Sequence, residues 1–183
     1  MMKFLIPAAL CALTLPSATL ADWNGSYAGI SLGQASNLEY EPDVTADADL
    51  SDGDVTGLFF GVRADRNGMV WGGEIAFEAI DGAEAEGGDV DLEAIFDAKA
   101  IGGIPSGDLL FYGMLSLSST SGNYGAEEVN ATGFGIGLGA AYQLGGNFSL
   151  GVEYMSRSLE AEVEDEDVDV TADTLTLRAA YKF

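Results

Sequence analysis

Carboxylates are the most abundant reactive groups of this 183-residue chain, which has 30 Asp and Glu, 7 Lys and Arg, and no His. Nucleophilic catalysis commonly needs a Ser or Cys beside a His base, and this sequence has no such base. Two carboxylates can also work as a general acid and base. However, acidic residues are so numerous here that no pair is distinguished. The sequence therefore predicts a protein that is not an enzyme and has no cofactor.

Twenty-two of the acidic residues fall in four segments without Lys or Arg, at 37–54, 81–91, 119–131 and 159–173. One interpretation is a solvated, self-repelling surface. The other is weak binding of Ca²⁺ or Mg²⁺, because hard cations bind clustered oxygens. The candidate ligands are Asp47, Asp49, Asp52, Asp54, Asp165, Asp167 and Asp169. A calcium-loop pattern is imperfect, since Gly53 comes one position late and Leu58 occupies position twelve, so no defined metal site is predicted.

The formal net charge of −23 limits the partners of the chain. So large a negative charge repels nucleic-acid backbones and anionic surfaces, which argues against nucleic-acid binding. Inorganic cations, including divalent ones, and basic partners stay open as ligands.

The N-terminal segment has the features of a Sec-type signal peptide. Lys3 precedes an apolar core from Phe4 to Leu15, and small residues end the segment at Ala21. The apolar core is too short to span a bilayer as a helix. We therefore expect residues 1–21 to be removed, together with the only cysteine, Cys11, and residues 22–183 to form one domain.

The rest of the chain must be built from strands, because apolar residues recur with period two. At the C-terminus Leu175, Leu177, Ala179, Tyr181 and Phe183 alternate with residues that include two cations. Alternation places one set on each face of a strand. Seven further segments repeat the pattern, at 28–32, 58–64, 71–79, 92–100, 109–117, 134–142 and 148–154. None of the eight outward faces carries a charge, as expected for strands that face lipid.

The connections between these segments indicate an up-and-down arrangement. Short connections at 65–69, 102–108 and 144–146 alternate with the four long acidic segments. Asn67-Gly68 is a strong hairpin signal, which pairs Arg66 with Met69. A loop of 144–146 would pair Tyr142 with Phe148. These features predict an all-β protein, an eight-stranded antiparallel up-and-down transmembrane β-barrel with short turns at one end and long loops at the other.

The inward face of this barrel collects the charges that the outward face excludes. It carries five acidic and five basic residues, although the chain has few cations. They are Arg63, Glu74, Glu78, Glu93, Asp97, Lys99, Glu153, Arg157, Arg178 and Lys182. An eight-stranded barrel is only wide enough for its side chains to fill, and buried charges must be paired. We therefore expect a charge network that plugs the lumen, with glycines such as Gly135 and Gly137 making room for opposing side chains at Met155 and Glu153.

The mature N-terminus, Asp22-Trp-Asn-Gly-Ser-Tyr-Ala-Gly29, and the terminal aromatic strand resemble those of small porin-family outer-membrane barrels of Gram-negative bacteria, of the OmpA/OmpX-like type. The resemblance implies the barrel fold, the outer membrane as location after Sec-dependent export, and contact with outer-membrane lipid. It also implies that Tyr181 and Phe183 are part of the signal read by the barrel assembly machinery. The roles within this family are diverse.

Together these observations predict a monomeric, non-catalytic outer-membrane barrel with a structural or surface-interaction role. The first alternative is transport through a small pore that admits cations. The second is a soluble periplasmic binding barrel, which would require the two strand faces to be reversed.

Overall fold

The structure is a computed structural model that describes residues 22–42, 48–49, 53–81, 90–124, 127–163 and 166–183. The predicted signal peptide, 1–21, lies outside these residues. Side chains are not described for 37–52, 82–93, 122–129 and 161–170.

In the part of the chain that the structure describes, no helix is long and apolar enough to cross a membrane.

Eight long strands form one closed antiparallel sheet. They are β1 (Gly25–Pro42), β3 (Gly53–Arg66), β4 (Met69–Asp81), β5 (Val90–Ser106), β6 (Leu109–Tyr124), β7 (Glu127–Gly145), β8 (Phe148–Val163) and β9 (Glu166–Lys182). A two-residue strand, β2 (Ala48–Asp49), pairs with β1 alone. Each long strand pairs with the next, and β9 pairs with β1. This is the predicted up-and-down barrel.

The strand faces are those that the period-two pattern predicts. In β3, for example, Leu58, Phe60 and Val62 are exposed on the outside, whereas Val55 and Phe59 are buried inside. The same alternation continues around the barrel, so the bulky apolar side chains cover its outer surface and the charged ones lie in its interior. The reversed arrangement that a soluble barrel needs is therefore wrong for this chain.

The Asn67-Gly68 turn sets the predicted register between β3 and β4. Both residues adopt left-handed backbone conformations, with φ of 57° and 76°, as a two-residue hairpin turn requires. Arg66 pairs with Met69, and the ladder continues without a bulge to the far end of both strands.

The predicted register between β7 and β8 is wrong by two residues. Tyr142 pairs with Leu150, and Phe148 pairs with Gly145. A register shift between Gln143 and Gly145 allows β7 to continue further than expected, and Gly145 takes a φ of 102° that favours glycine. Because the error is an even number of residues, every side chain keeps its face.

Strands also extend into segments that we expected to be loops. β5 continues to Ser106, so the second short connection is a two-residue turn. At the opposite end, β6 reaches Tyr124 and β9 begins at Glu166, within the acidic segments 119–131 and 159–173. Backbone pairing does not depend on side-chain polarity, and adjacent strands continue to pair where both are present. The strand ends that we predicted from the acidic composition were therefore wrong.

Candidate functional site

Seven charged side chains meet in the middle of the barrel. Each comes from an inward strand position and is at most 6% exposed. They are Glu74, Glu78, Asp97, Lys99, Glu153, Arg157 and Arg178, which belong to β4, β5, β8 and β9. Their inward direction follows from the strand alternation that places apolar neighbours outside.

Arg157 is the centre of the part of the cluster nearer the long connections. Its Nη2 lies 2.6 Å from Asp97 Oδ2 and 3.1 Å from Glu78 Oε2, while its Nε donates to Asp97 Oδ1 at 3.1 Å. The Ser118 hydroxyl also donates to Asp97, at 2.6 Å, and Arg157 Nη1 donates to Thr174 Oγ1 at 2.9 Å. This arginine thus holds two carboxylates through its planar fork.

Arg178 occupies the equivalent position nearer the short turns. Its Nη2 lies 2.7 Å from Glu74 Oε1, and its Nη1 pairs with Glu153. Two tyrosine hydroxyls also hydrogen-bond these carboxylates: Tyr27 donates to Glu74 at 2.8 Å, and Tyr112 donates to Glu153 at 3.1 Å.

Lys99 joins the two arginine groups into one network. Its Nζ pairs with Glu153 and lies 3.6 Å from Glu74 Oε1 and 3.9 Å from Asp97 Oδ2. Every carboxylate of the cluster therefore has a cationic partner. Buried ions are tolerated only when they are paired and hydrogen-bonded in this way.

Three of the ten predicted lumen residues do not join this network. Arg63 lies two positions closer to the short turn than the residue paired with Glu74, and it has no ion pair among the described residues. Lys182, at the end of its strand, lies 3.1 Å from Asp22 Oδ2 at the barrel rim. Glu93 falls at a register shift between Leu92 and Ala94, and its side chain is outside the described residues.

Asp22 has the clearest electrostatic shift outside the membrane-spanning segments. Hydrogen bonds from the Asn24 side chain and backbone, and the contact with Lys182, lower its pKa to about 2. The carboxylate is therefore ionised at neutral pH and fixes the N-terminal segment to the last strand.

Apolar side chains also fill the lumen, in two layers towards its ends and in a small cluster of Tyr27, Phe59 and Ala76 beside Arg178. The sequence did not predict these contacts. The layer nearer the long connections consists of Ala35, Val55, Ile80, Ile95 and Ala172. The layer nearer the short turns consists of Trp23, Val70, Ile101, Leu110, Tyr112, Met114 and Ala141, and it extends to Met155, which lies between Glu153 and Arg157 on β8. Strand parity places most of these residues on the inward face, so their positions could have been predicted from the period of two.

Glycines on β7 leave the space that the interior side chains occupy. A Cβ on Gly137 would lie 2.3 Å from Met155 Sδ, and one on Gly135 would lie 3.2 Å from Arg157 Cγ. The shifted register changes the predicted partners, because Gly137 pairs with Met155 and Gly135 with Arg157.

The candidate metal ligands are only partly described. Asp54 is exposed on β3 and pairs across the ladder with Asp81. Asp49, Asp167 and Asp169 lie on strands, but their side chains are outside the description, as are Asp47, Asp52 and Asp165 altogether. Among the described residues, no group of three or more His, Cys, Asp or Glu could hold a metal ion.

The terminal aromatics lie on the outer surface at the short-turn end. Tyr181 contacts Phe148 with a ring centroid distance of 5.0 Å, and Phe183 stacks beside Phe60 at 6.3 Å. Trp71 and Phe111 are exposed on the same outer face. These rings form a belt of the kind found at a membrane interface.

Comparisons with known proteins agree with this architecture. The family model described as "Outer membrane protein beta-barrel domain" matches residues 6–183. Among solved structures, Neisserial surface protein A is similar, with 15% identity, a TM-score of 0.58, and coverage of 87% of this chain and 97% of that one. Ail, the attachment invasion locus protein of Yersinia pestis, has 19% identity and a TM-score of 0.51, covering 86% and 99%.

A second structure of Ail, in complex with the heparin analogue sucrose octasulfate, has 18% identity and a TM-score of 0.50, with coverage of 86% and 99%. At these identities the likeness concerns the fold. No curated protein matches the sequence at a significant level.

Proposed function

Because this chain belongs to the family of outer membrane protein β-barrel domains, we propose that it is a non-catalytic outer-membrane barrel with a structural or surface-interaction role and a closed lumen. The charge network supports the closed lumen. Seven side chains, each at most 6% exposed, fill the middle of the barrel in mutual ion pairs. An eight-stranded barrel leaves little space beyond its own side chains.

Conductance of the purified protein in planar bilayers tests this proposal. We expect no steady current from the wild type, because water and ions would have to displace paired charges and two apolar layers. Arg178→Ala is expected to produce at most a small cation-selective leak, since it leaves Glu74 and Glu153 without that partner. Lys182→Ala, at the rim, is the matched control. A large steady current from the wild type would overturn the closed lumen and favour the alternative, a small pore.

The surface role of the outer loops rests on their charge. The acidic segments carry no Lys or Arg, so the proposed partners are divalent cations and basic surfaces. Ail has been crystallised with the polyanion sucrose octasulfate. A chain with a net charge of −23 is expected to repel such a ligand.

Calorimetric titration distinguishes these partners. With Ca²⁺ at moderate salt we expect weak binding and protection of the outer segments from protease, because the cation relieves repulsion among carboxylates. Sucrose octasulfate serves as the comparison and should give no heat of binding. Absence of both heat and protection with Ca²⁺ would leave only the solvated-surface role.

Export and assembly complete the proposal. We propose that residues 1–21 direct Sec-dependent export and that Tyr181 and Phe183 engage the barrel assembly machinery. Phe183→Ala should then reduce the amount of folded protein in the outer membrane after cell fractionation. Phe111→Ala removes another exposed aromatic and should have less effect. Equal losses from both substitutions would contradict a specific terminal signal.

A further inference from the structure

Arg63 is an inward-facing cation that does not belong to the charge network. It is half-buried, and its guanidinium carbon lies 4.1 Å from the ring centroid of Tyr27, 5.5 Å from that of Tyr112 and 5.9 Å from that of Trp23. These rings contact the guanidinium through its charge and its planar faces. The N–H donors point outward in the guanidinium plane and are not satisfied by rings.

The N–H donors of this guanidinium have no acceptor in the described part of the chain. Its Nε is fully buried and unpartnered, and no ion pair is formed by its other nitrogens there. Trp23, which is 5% exposed, also has a buried Nε1–H without an acceptor. Two neighbouring side chains thus present only donors, and unsatisfied buried donors cost free energy.

Both side chains line one cavity of about 20 Å³ at the short-turn end of the barrel. Since a single water needs about 10 to 15 Å³ of such space, the cavity takes one or two oxygen-sized atoms. Ser149 and Lys182 also line it. Asp22 lies there too, but its carboxylate is held by Lys182 and Asn24. Asp22 and Lys182 pair with each other, so Arg63 is the charged side chain of this lining that has no ionic partner among the described residues.

We propose that this cavity binds a carboxylate group, either from a small free acid or from the carboxyl end of a peptide. A carboxylate brings acceptors only, and its two oxygens match the spacing of the guanidinium fork. Trp23 lines the same cavity, so its indole ring lies close enough to report on an occupant. The short-turn end faces the periplasm in barrels of this family, so the ligand enters from that side.

The fluorescence of Trp23 tests the site in the whole folded barrel. Trp71, the other tryptophan of the chain, is 53% exposed on the outer face, and Trp71→Phe removes its signal while keeping an aromatic ring there. In this background, acetate at constant ionic strength should change the emission saturably, with half-saturation on the order of millimolar. N-acetylalanine should do the same, whereas its amide should not.

Substitutions at Arg63 complete the experiment. Arg63→Lys keeps the charge but loses the fork, and should weaken the response at least tenfold. Arg63→Gln should abolish it. Folding of each variant is verified by circular dichroism, and the comparison of acid with amide needs no variant at Arg63.

The two acids distinguish the sources of the carboxylate. If acetate changes the Trp23 emission and N-acetylalanine does not, the site binds small acids. If both change it, the site also accepts the carboxyl end of a peptide. Equal effects of the acid, its amide and chloride would overturn the proposal.

Discussion

The middle of the lumen and its two ends contain different kinds of side chain: paired charges dominate the middle, where Phe59 packs on Arg178, and apolar side chains dominate the ends. In the middle, Glu153 is 2% exposed and pairs with Lys99 and Arg178. Towards the short turns, Leu110 is fully buried in an apolar layer, and towards the long connections Ile95 has the same role. The ends show that this barrel can be filled without charges.

The comparison separates the filling of the lumen by side chains from the presence of ions within it. Apolar side chains fill space without electrostatic cost, whereas each buried ion must recover its desolvation energy from partners with good geometry. The charged layer is therefore sensitive to the loss of a single partner. The apolar layers respond only in proportion to the volume that is removed.

Removal of one cation from the charged layer should give the largest effect. Arg178→Ala leaves Glu74 and Glu153 with fewer partners in a buried site. We expect the free energy of unfolding to fall by about 3 to 5 kcal/mol, measured by urea unfolding in lipid vesicles. Lys182→Ala removes a cation from the rim and should cost far less. Equal losses would show that the buried pairs have no special role.

Truncation within the apolar layer should cost somewhat less. Leu110→Ala opens a cavity among rigid neighbours, and we expect a loss of about 3 kcal/mol. Leu117→Ala removes the same atoms from the outer face, where the side chain is 60% exposed and acyl chains can fill the space. The free energy of unfolding should fall clearly less for Leu117→Ala than for Leu110→Ala in the same experiment. A larger loss at Leu117 would contradict the assignment of the two faces.

A methyl group added inside the barrel should be a smaller perturbation. A Cβ on Gly137 would lie 2.3 Å from Met155 Sδ and 2.5 Å from the carbonyl oxygen of Tyr154, which cannot move freely. We expect Gly137→Ala to destabilise the protein by about 1 to 3 kcal/mol. Gly113, on the outer face of the neighbouring strand, has its nearest atom at 3.8 Å. Thermal unfolding should therefore show little change for Gly113→Ala.

The pair at the rim should have the smallest effect, and one that depends on pH. The folded pKa of Asp22, about 2, lies below its ordinary value of 3.8. Its contribution to stability is therefore complete above pH 3.8 and disappears as the pH falls through 2. Because the side chain is 63% exposed, we expect less than about 1 kcal/mol. Unfolding of Asp22→Asn between pH 2 and 6 should lack this dependence. If the pH profile of Asp22→Asn equals that of the wild type, the pair does not contribute to the free energy of unfolding.

Local rules account for the parts of the fold that the sequence predicted correctly. The period of two is a property of the extended backbone itself, so Leu58 and Phe60 had to share one face and Val55 and Phe59 the other. Asn67-Gly68 likewise imposes a backbone twist that only one register satisfies. By the same parity, all seven residues of the charge network were assigned to the interior.

Features that depend on distant atoms were not predictable. A bulge near Gly145 moved Phe148 by two positions, which no local pattern revealed because every side chain kept its face. The strand ends followed their partners instead of their own composition, as at Tyr124 and Glu166. Acidic composition is therefore a poor guide to where a barrel strand stops.

Sequence by itself determined which side chains enter the lumen, because strand parity is a local, backbone-imposed rule. Tertiary structure decided which of them meet. Arg178 joins Glu74 across a separation of 104 residues, while Arg63, equally inward, stacks on Tyr27 instead. The height and angular position of each side chain depend on the register around the whole closed sheet, and a pairwise contact in the interior is fixed only when that closure is complete.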